Sequence, residues 1–244
     1  MMRPLFDKSG FTLIELVMVI VIVGILAGIA AVQFSRTTES ARYEATQAEL
    51  DALAAAIVGD PTLTADGARS DFGFVGDVGA LPPNLDALAS NPGLGTWRGP
   101  YIKGDFTTGD FTKDGWNAAY TYQDTLLRST GSGTNIDKIF ASNRTVLLSN
   151  VIIGYLYDAD HQTPGIVYRD SVTIMVTYPN GGGGMASPAT APDAGGRFTF
   201  TGIPIGNHQI RIIFIPDHDT VTVPVCVLPG VTTKLDLNFP ADLW

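Results

Sequence analysis

The sequence predicts an α+β protein with one long N-terminal helix, a small β-containing head and an all-β sandwich. Three observations carry this. Residues 11–32 form an apolar run holding a single charge, and residues 33–58 continue it with helical spacing. Residues 59–150 are rich in glycine, proline and aromatics, with only short apolar runs. Residues 151–244 alternate strand-like stretches with turn signals at short intervals.

The apolar run from Phe11 is 22 residues long. As a helix it spans about 33 Å, enough to cross a bilayer. Its β-branched residues do not argue for a strand, because in hydrocarbon a single segment satisfies its own backbone only as a helix. Gly24 and Gly28 share one helix face. That spacing lets a second helix approach closely, but glycine is also simply common in membrane helices, and both readings stand. Glu15 is the one charge. A carboxylate at membrane depth costs on the order of 2.5–3.5 kcal/mol. Glu15 should therefore have a partner, unless its place near the end of the run lets it reach the interface.

From Gln33 to Val58 an apolar face is expected at Phe34, Ala41, Ala45, Ala48, Leu50, Leu53, Ala54 and Ile57. The opposite face carries Arg36, Glu39, Arg42, Glu44, Glu49 and Asp51. Gly59-Asp60-Pro61 supplies the stop. A helix from Phe11 to Val58 would be roughly 70 Å long. It is greasy all round at first and amphipathic later, as suits a helix that anchors at one end and packs on a globular head at the other.

The chain has 244 residues and a formal net charge of −9. That balance, with no run of basic residues, argues against nucleic acid as a main partner. Cys226 is the one cysteine, so no internal disulfide can form. In VTVPVCVL it reads as a small buried hydrophobe. The ten-residue stretch MMRPLFDKSG is too short for an ordinary secretory signal, and it lacks an apolar core and a small-residue cleavage site. Its Arg3 and Lys8 favour a cytoplasmic N-terminus.

The segment Gly10-Phe11-Thr12-Leu13-Ile14-Glu15-Leu16 resembles the class III leader junction of type IV pilins and type II secretion pseudopilins. The resemblance implies a cleaved leader at 1–10, with prepilin peptidase cutting between Gly10 and Phe11 and methylating the new Phe11 amine. It also implies that Glu15 pairs with the N-terminal amine of a neighbouring subunit. Such a pair fixes register more surely than it adds stability, since a subunit out of register leaves both charges unpaired. Pilins usually carry a proline at the position of Val32, and Ala31-Val32-Gln33-Phe34 has none. The helix should therefore be less prone to kink there.

In the head, Trp97-Arg98-Gly99-Pro100-Tyr101 and then Asp114, Trp116, Tyr120 and Tyr122 resemble the major pseudopilin of type II secretion systems. Gly115, Asn117, Ala118 and Ala119 replace that family's Pro, Gly, Asn and Pro. Major pseudopilins hold calcium in the loop beyond this strand. Here 130–150 offers Asp137 and many carbonyls but few carboxylates, whereas calcium takes six to eight oxygens. The alternative is an ordinary polar loop. Ala80–Leu88 reads as a turn followed by a short helix starting near the prolines.

Strands are expected at Val151–Tyr157, Ser171–Tyr178, Arg197–Thr201, Gln209–Ile215, Thr220–Leu228 and Thr232–Leu237, with no helical stretch between them. The pieces IGYLYD at 153–158, GGRFTF at 195–200 and IPIG at 203–206 resemble carboxypeptidase regulatory-like domains of the transthyretin-like class. That resemblance implies a non-catalytic structural or binding module.

Candidate chemistry is sparse. Asp158, Asp160 and His161 sit in one turn, and Asp217, His218 and Asp219 in another. Together they would make a metal-ligand set if the loops meet; apart they are ordinary exposed-turn residues. The third histidine is His208. There is no H-E-x-x-H, G-x-S-x-G or P-loop, so zincin, hydrolase and nucleotide chemistry lack support. Gly181–Gly184 reads as a hairpin tip. Asn143-Arg144-Thr145 is a formal glycosylation sequon, a pattern frequent by chance. Trp97, Tyr101, Trp116, Tyr120 and Tyr122 suit either core packing or stacking on a sugar.

The expectation is a non-enzymatic filament subunit of a type IV pilus or a secretion pseudopilus. Its partners would be copies of itself or mixed subunits, prepilin peptidase and an inner-membrane assembly platform. Its location would be the inner membrane as a precursor, then a periplasmic or cell-surface filament. The alternative is a single-pass anchored protein that never polymerises and binds a glycan or peptide through the sandwich.

Overall fold

A computed structural model describes residues 12–103, 106 and 109–244. Helix α1 spans Leu13–Val58, 46 residues with no break at Val32. The chain divides into two units, Met1–Ala45 and Thr46–Trp244. In the first, residues 13–45 are helix with an exposed apolar surface from Leu13 through Phe34.

The second unit holds two hydrophobic cores. Into the first, α1 contributes Leu50, Leu53, Ala54, Ala56 and Ile57, spaced so that they share one stripe. This stripe begins at Thr46, which is buried, so the apolar face expected from Phe34 onward is packed only over its last turns. Glu49, expected on the polar face, is buried instead.

After α1 come β1 (Thr64–Ala65), β2 (Ala68–Arg69) and α2 (Gly73–Val78). Arg69 closes the helix end. Its Nη2 donates to the carbonyls of Val58 at 2.6 Å and Gly59 at 3.1 Å, and its guanidinium lies 4.6 Å over the Phe72 ring. A cation on the last free carbonyls satisfies both hydrogen bonding and the helix dipole. The short helix expected after the prolines is a 3-10 turn, Leu85–Leu88, capped where Asn84 Oδ1 accepts from the Ala87 N–H at 3.1 Å. Strands β3 (Thr121–Gln123), β4 (Leu126–Ser129) and β5 (Ile136–Ile139) form a small antiparallel sheet, and α3 (Thr145–Leu148) follows.

The second core lies between two sheets. Strand β6 (Asn150–Tyr157) is followed by a short helix α4 (Gly165–Tyr168), then β7 (Val172–Pro179), β8 (Met185–Ala186), β9 (Ala189–Thr190), β10 (Arg197–Ile203), β11 (Gly206–Phe214), β12 (Asp219–Val227) and β13 (Thr233–Asn238). One sheet runs β10-β6-β13 and the other β12-β11-β7-β8, with β9 on β7. The last strand joins β6 in parallel; the other pairings are antiparallel. Buried positions fall at every second residue along β11, and Ile210, Ile212 and Phe214 meet the core on that period, which is why the segment is a strand. The expectation of no helix in this region fails at α4, whose four residues are too few to show a helical period.

Gly154 sits opposite Phe198, and a Cβ there would lie 2.2 Å from the ring. The ring is buried in the second core and covers the glycine. Gly154→Ala is therefore expected to cost about 1–3 kcal/mol by overpacking, read as a lower midpoint in urea unfolding.

The expected head (59–150) and sandwich (151–244) share this unit. Ile205, from the loop between β10 and β11, is fully buried in the first core, and Cys226 packs against it. The Ile205 N–H donates to Leu147 O at 2.9 Å, and the Gly181 N–H to Val78 O at 2.8 Å. At Gly79, with φ 77°, a Cβ would fall 2.0 Å from Pro179 O. Only glycine permits so close a backbone approach at that φ.

Candidate assembly site

The assembly residues inferred from sequence begin at Gly10 and Phe11, which lie outside the described residues. The next polar groups are arranged in detail. The Thr12 N–H and hydroxyl both donate to Glu15 Oε2, at 2.9 and 2.7 Å, and the Glu15 N–H donates to Thr12 Oγ1 at 3.3 Å. This is a reciprocal capping box that satisfies free donors at the helix start. The T-x-x-E spacing is its signature, a local signal in the sequence that points to this contact. It ties the carboxylate to the main chain and hydroxyl of Thr12.

Beyond the box, α1 is long and apolar enough to cross a membrane. At Gly24 and Gly28 no side chain or other segment among the described residues comes within 4 Å of where a Cβ would stand, so the space over them is open. A facing helix can approach closely there.

The other candidates resolve differently. Trp97 Nε1 donates to Ala87 O at 2.9 Å, and the Tyr101 ring meets Trp97 and Phe74 edge-on at 5.7 and 5.6 Å. The Tyr101 hydroxyl donates to Asp77 Oδ2 at 3.0 Å and accepts from the Arg98 N–H at 2.9 Å. Burial raises the pKa of both Asp77 and Tyr101. Tyr120 is buried, and its hydroxyl donates to Glu49 Oε2 at 2.7 Å. Burial, then this bond to a carboxylate, raises the tyrosine pKa. Tyr122 stacks on Phe140 at 6.5 Å, and Trp116 packs against the first core. The aromatics thus pack the head.

Asp137 gives both oxygens to Arg128, at 2.6 and 2.7 Å. The 130–150 loop therefore has no spare carboxylate, since Asp137 is its only one. Among the described residues no three His, Cys, Asp or Glu side chains come together as metal ligands. The Asp158–Asp160–His161 and Asp217–His218–Asp219 turns thus do not combine into one ligand set. His208 is buried in β11, where its Nε2–H donates to Pro204 O at 2.8 Å; burial lowers its pKa and keeps the ring neutral. Asn143 Oδ1 accepts from the Val146 N–H at 3.2 Å, which gives the sequon asparagine a capping role.

Residues 5–31 match the family model of the prokaryotic N-terminal methylation motif. The type IV major fimbrial protein FimA of Dichelobacter nodosus is 31% identical over 132 residues, covering 50% of this chain and 81% of FimA. The chain belongs to the type IV pilin family. A second pilin relative is the type IV narrow pilus major component PilA5 of Thermus thermophilus, 38% identical over 91 residues, 37% of this chain and 66% of PilA5. Among solved structures, BcpA, the major pilin subunit of Bacillus cereus, covers 52% of this pilin and 42% of its own chain at 12% identity. Its TM-score of 0.27 is too low to bear on fold or function. As a pilin, the chain is a structural subunit and not an enzyme.

Proposed function

We propose that this pilin is a subunit of a type IV pilus, assembled through residues 11–32 after prepilin peptidase cuts between Gly10 and Phe11 and methylates the Phe11 amine. The observation that carries the reading is the Thr12–Glu15 box, which holds the one carboxylate of the apolar helix at its start, inside the matched methylation motif. The precursor sits in the inner membrane with Arg3 and Lys8 on the cytoplasmic side. An inner-membrane assembly platform then moves subunits from lipid into a helical core. There the Glu15 carboxylate meets the Phe11 amine of another subunit, and identical helices replace lipid around the apolar surface. The sandwich, 151–244, projects outward as a non-catalytic module. A pilus is favoured over a secretion pseudopilus because the two curated relatives are named as pilus components.

The test is cryo-electron microscopy of sheared-cell fractions, with mass spectrometry of the subunit N-terminus. Filaments of chains starting at methylated Phe11 are expected. A chain retaining Met1 would overturn the processing step. A processed chain found solely as a membrane monomer would favour the anchored, non-polymerising binder.

A further inference from the structure

Asp158 leaves the end of β6 with its side chain fully buried. Its Oδ1 accepts the N–H groups of Asp160 at 3.1 Å and Gln162 at 2.7 Å. Its Oδ2 is equally buried and finds no hydrogen-bond partner among the described residues. A buried carboxylate oxygen left bare is costly, and proteins normally pair it with a donor or a cation.

Residues 158–168 contain no Lys or Arg, and Arg169, the next, is paired with Asp170 at 3.6 Å. Oxygen-bearing side chains recur at alternate positions of this loop: Asp158, Asp160 and Gln162. The loop is held in shape from several sides. The Asp158 N–H donates to Gln162 O at 3.1 Å, the Trp244 Nε1–H donates to the same carbonyl at 3.0 Å, and the Ala159 N–H donates to Ala241 O at 3.1 Å. The His161 ring packs edge-on against Tyr157 at 5.8 Å.

We propose that the 158–162 loop binds a calcium ion, anchored by Asp158 Oδ2. Asp160 supplies a second carboxylate and Gln162 an amide oxygen, and main-chain carbonyls and water complete the shell. An all-oxygen, irregular donor set suits calcium, which accepts six to eight ligands in flexible geometry. Magnesium demands a near-ideal octahedron, and zinc prefers nitrogen and sulfur. With only two carboxylates the site is weak, with a dissociation constant of about 10⁻⁴–10⁻³ M.

The test uses the full chain in detergent micelles, stripped with chelator and titrated with calcium chloride. Fluorescence of Trp244, bonded to the loop, and the thermal midpoint are both read. A saturable signal is expected with half-saturation at about 10⁻⁴–10⁻³ M, and magnesium should act at least about tenfold more weakly. Asp160 is exposed, and Asp160→Ala should fold normally yet weaken binding by about tenfold or more. Asp158→Asn, which keeps an Oδ1 acceptor, should abolish the response, and Asp217→Asn should leave it unchanged. No saturable signal in the wild-type chain at about 10 mM calcium, or an undiminished one in Asp160→Ala, overturns the proposal.

Discussion

Glu15→Ala is expected to abolish incorporation into filaments while membrane insertion persists. Removing a charge from an apolar helix makes insertion easier, by on the order of 2.5–3.5 kcal/mol. Assembly goes the other way. In the proposed pairing, the Phe11 amine of the neighbouring subunit would be left without its counter-charge in a core of apolar helices. An uncompensated buried charge costs about 3–5 kcal/mol, which is at least about a hundredfold in the assembly equilibrium. The alanine variant also breaks the capping box, because Glu15 Oε2 accepts both the Thr12 N–H and its hydroxyl. Glu15→Gln separates the two effects, since an amide oxygen still caps but carries no charge. The glutamine variant should insert and keep its helix start, yet fail to assemble. Quantitative blotting of sheared and membrane fractions reads both steps. Normal piliation by the glutamine variant would show that the charge pair is dispensable.

Asp114→Ala is expected to have the largest effect on stability. Asp114 is fully buried and accepts four hydrogen bonds. Its Oδ1 takes the N–H groups of Trp116 and Ala118, each at 2.9 Å. Its Oδ2 takes the Ser129 hydroxyl at 2.6 Å and the Gly131 N–H at 3.0 Å. One carboxylate thus ties the turn before β3 to the end of β4. Gly131 is glycine for the same reason, since a Cβ there would meet Asp114 Oδ2 at 2.5 Å. Alanine leaves these donors unmet, the Ser129 hydroxyl fully buried and the three N–H groups partly so, at about 3–5 kcal/mol in all. Asparagine keeps the Oδ1 pair but turns an NH₂ group toward the Gly131 N–H, so about half the loss is expected. Ser129→Ala should cost only about 1 kcal/mol. Chemical unfolding of the three variants gives the series, and a loss under about 1 kcal/mol for Asp114→Ala would refute the account.

What could be read from the sequence follows from period. Each sandwich strand expected from alternation lies within a few residues of an observed one, because inward side chains recur every second residue. The long helix was legible because its composition allows nothing else. Glu49 was misplaced because a charge on an amphipathic helix is assumed to face water. Its partner Tyr120 lies 71 residues away, and no local pattern announces the pairing. Ile205 was invisible for a related reason. As a single apolar residue in a turn it has no period, and only the tertiary fold sends it into the head core rather than the sandwich. Arg69 likewise caps a helix that ended 11 residues earlier. At the assembly site the opposite holds: Thr12 and Glu15 are local, and their spacing alone specifies the contact. The orphan oxygen of Asp158 could not be foreseen, since the sequence shows a carboxylate but not which of its lone pairs are already taken.

The seam at Gly79, Gly181 and Ile205 has a consequence for display. Main-chain bonds and a shared apolar plug leave the sandwich no hinge with which to swing against the head. A pull on the sandwich is therefore carried into the head through paired main chain rather than absorbed by a linker.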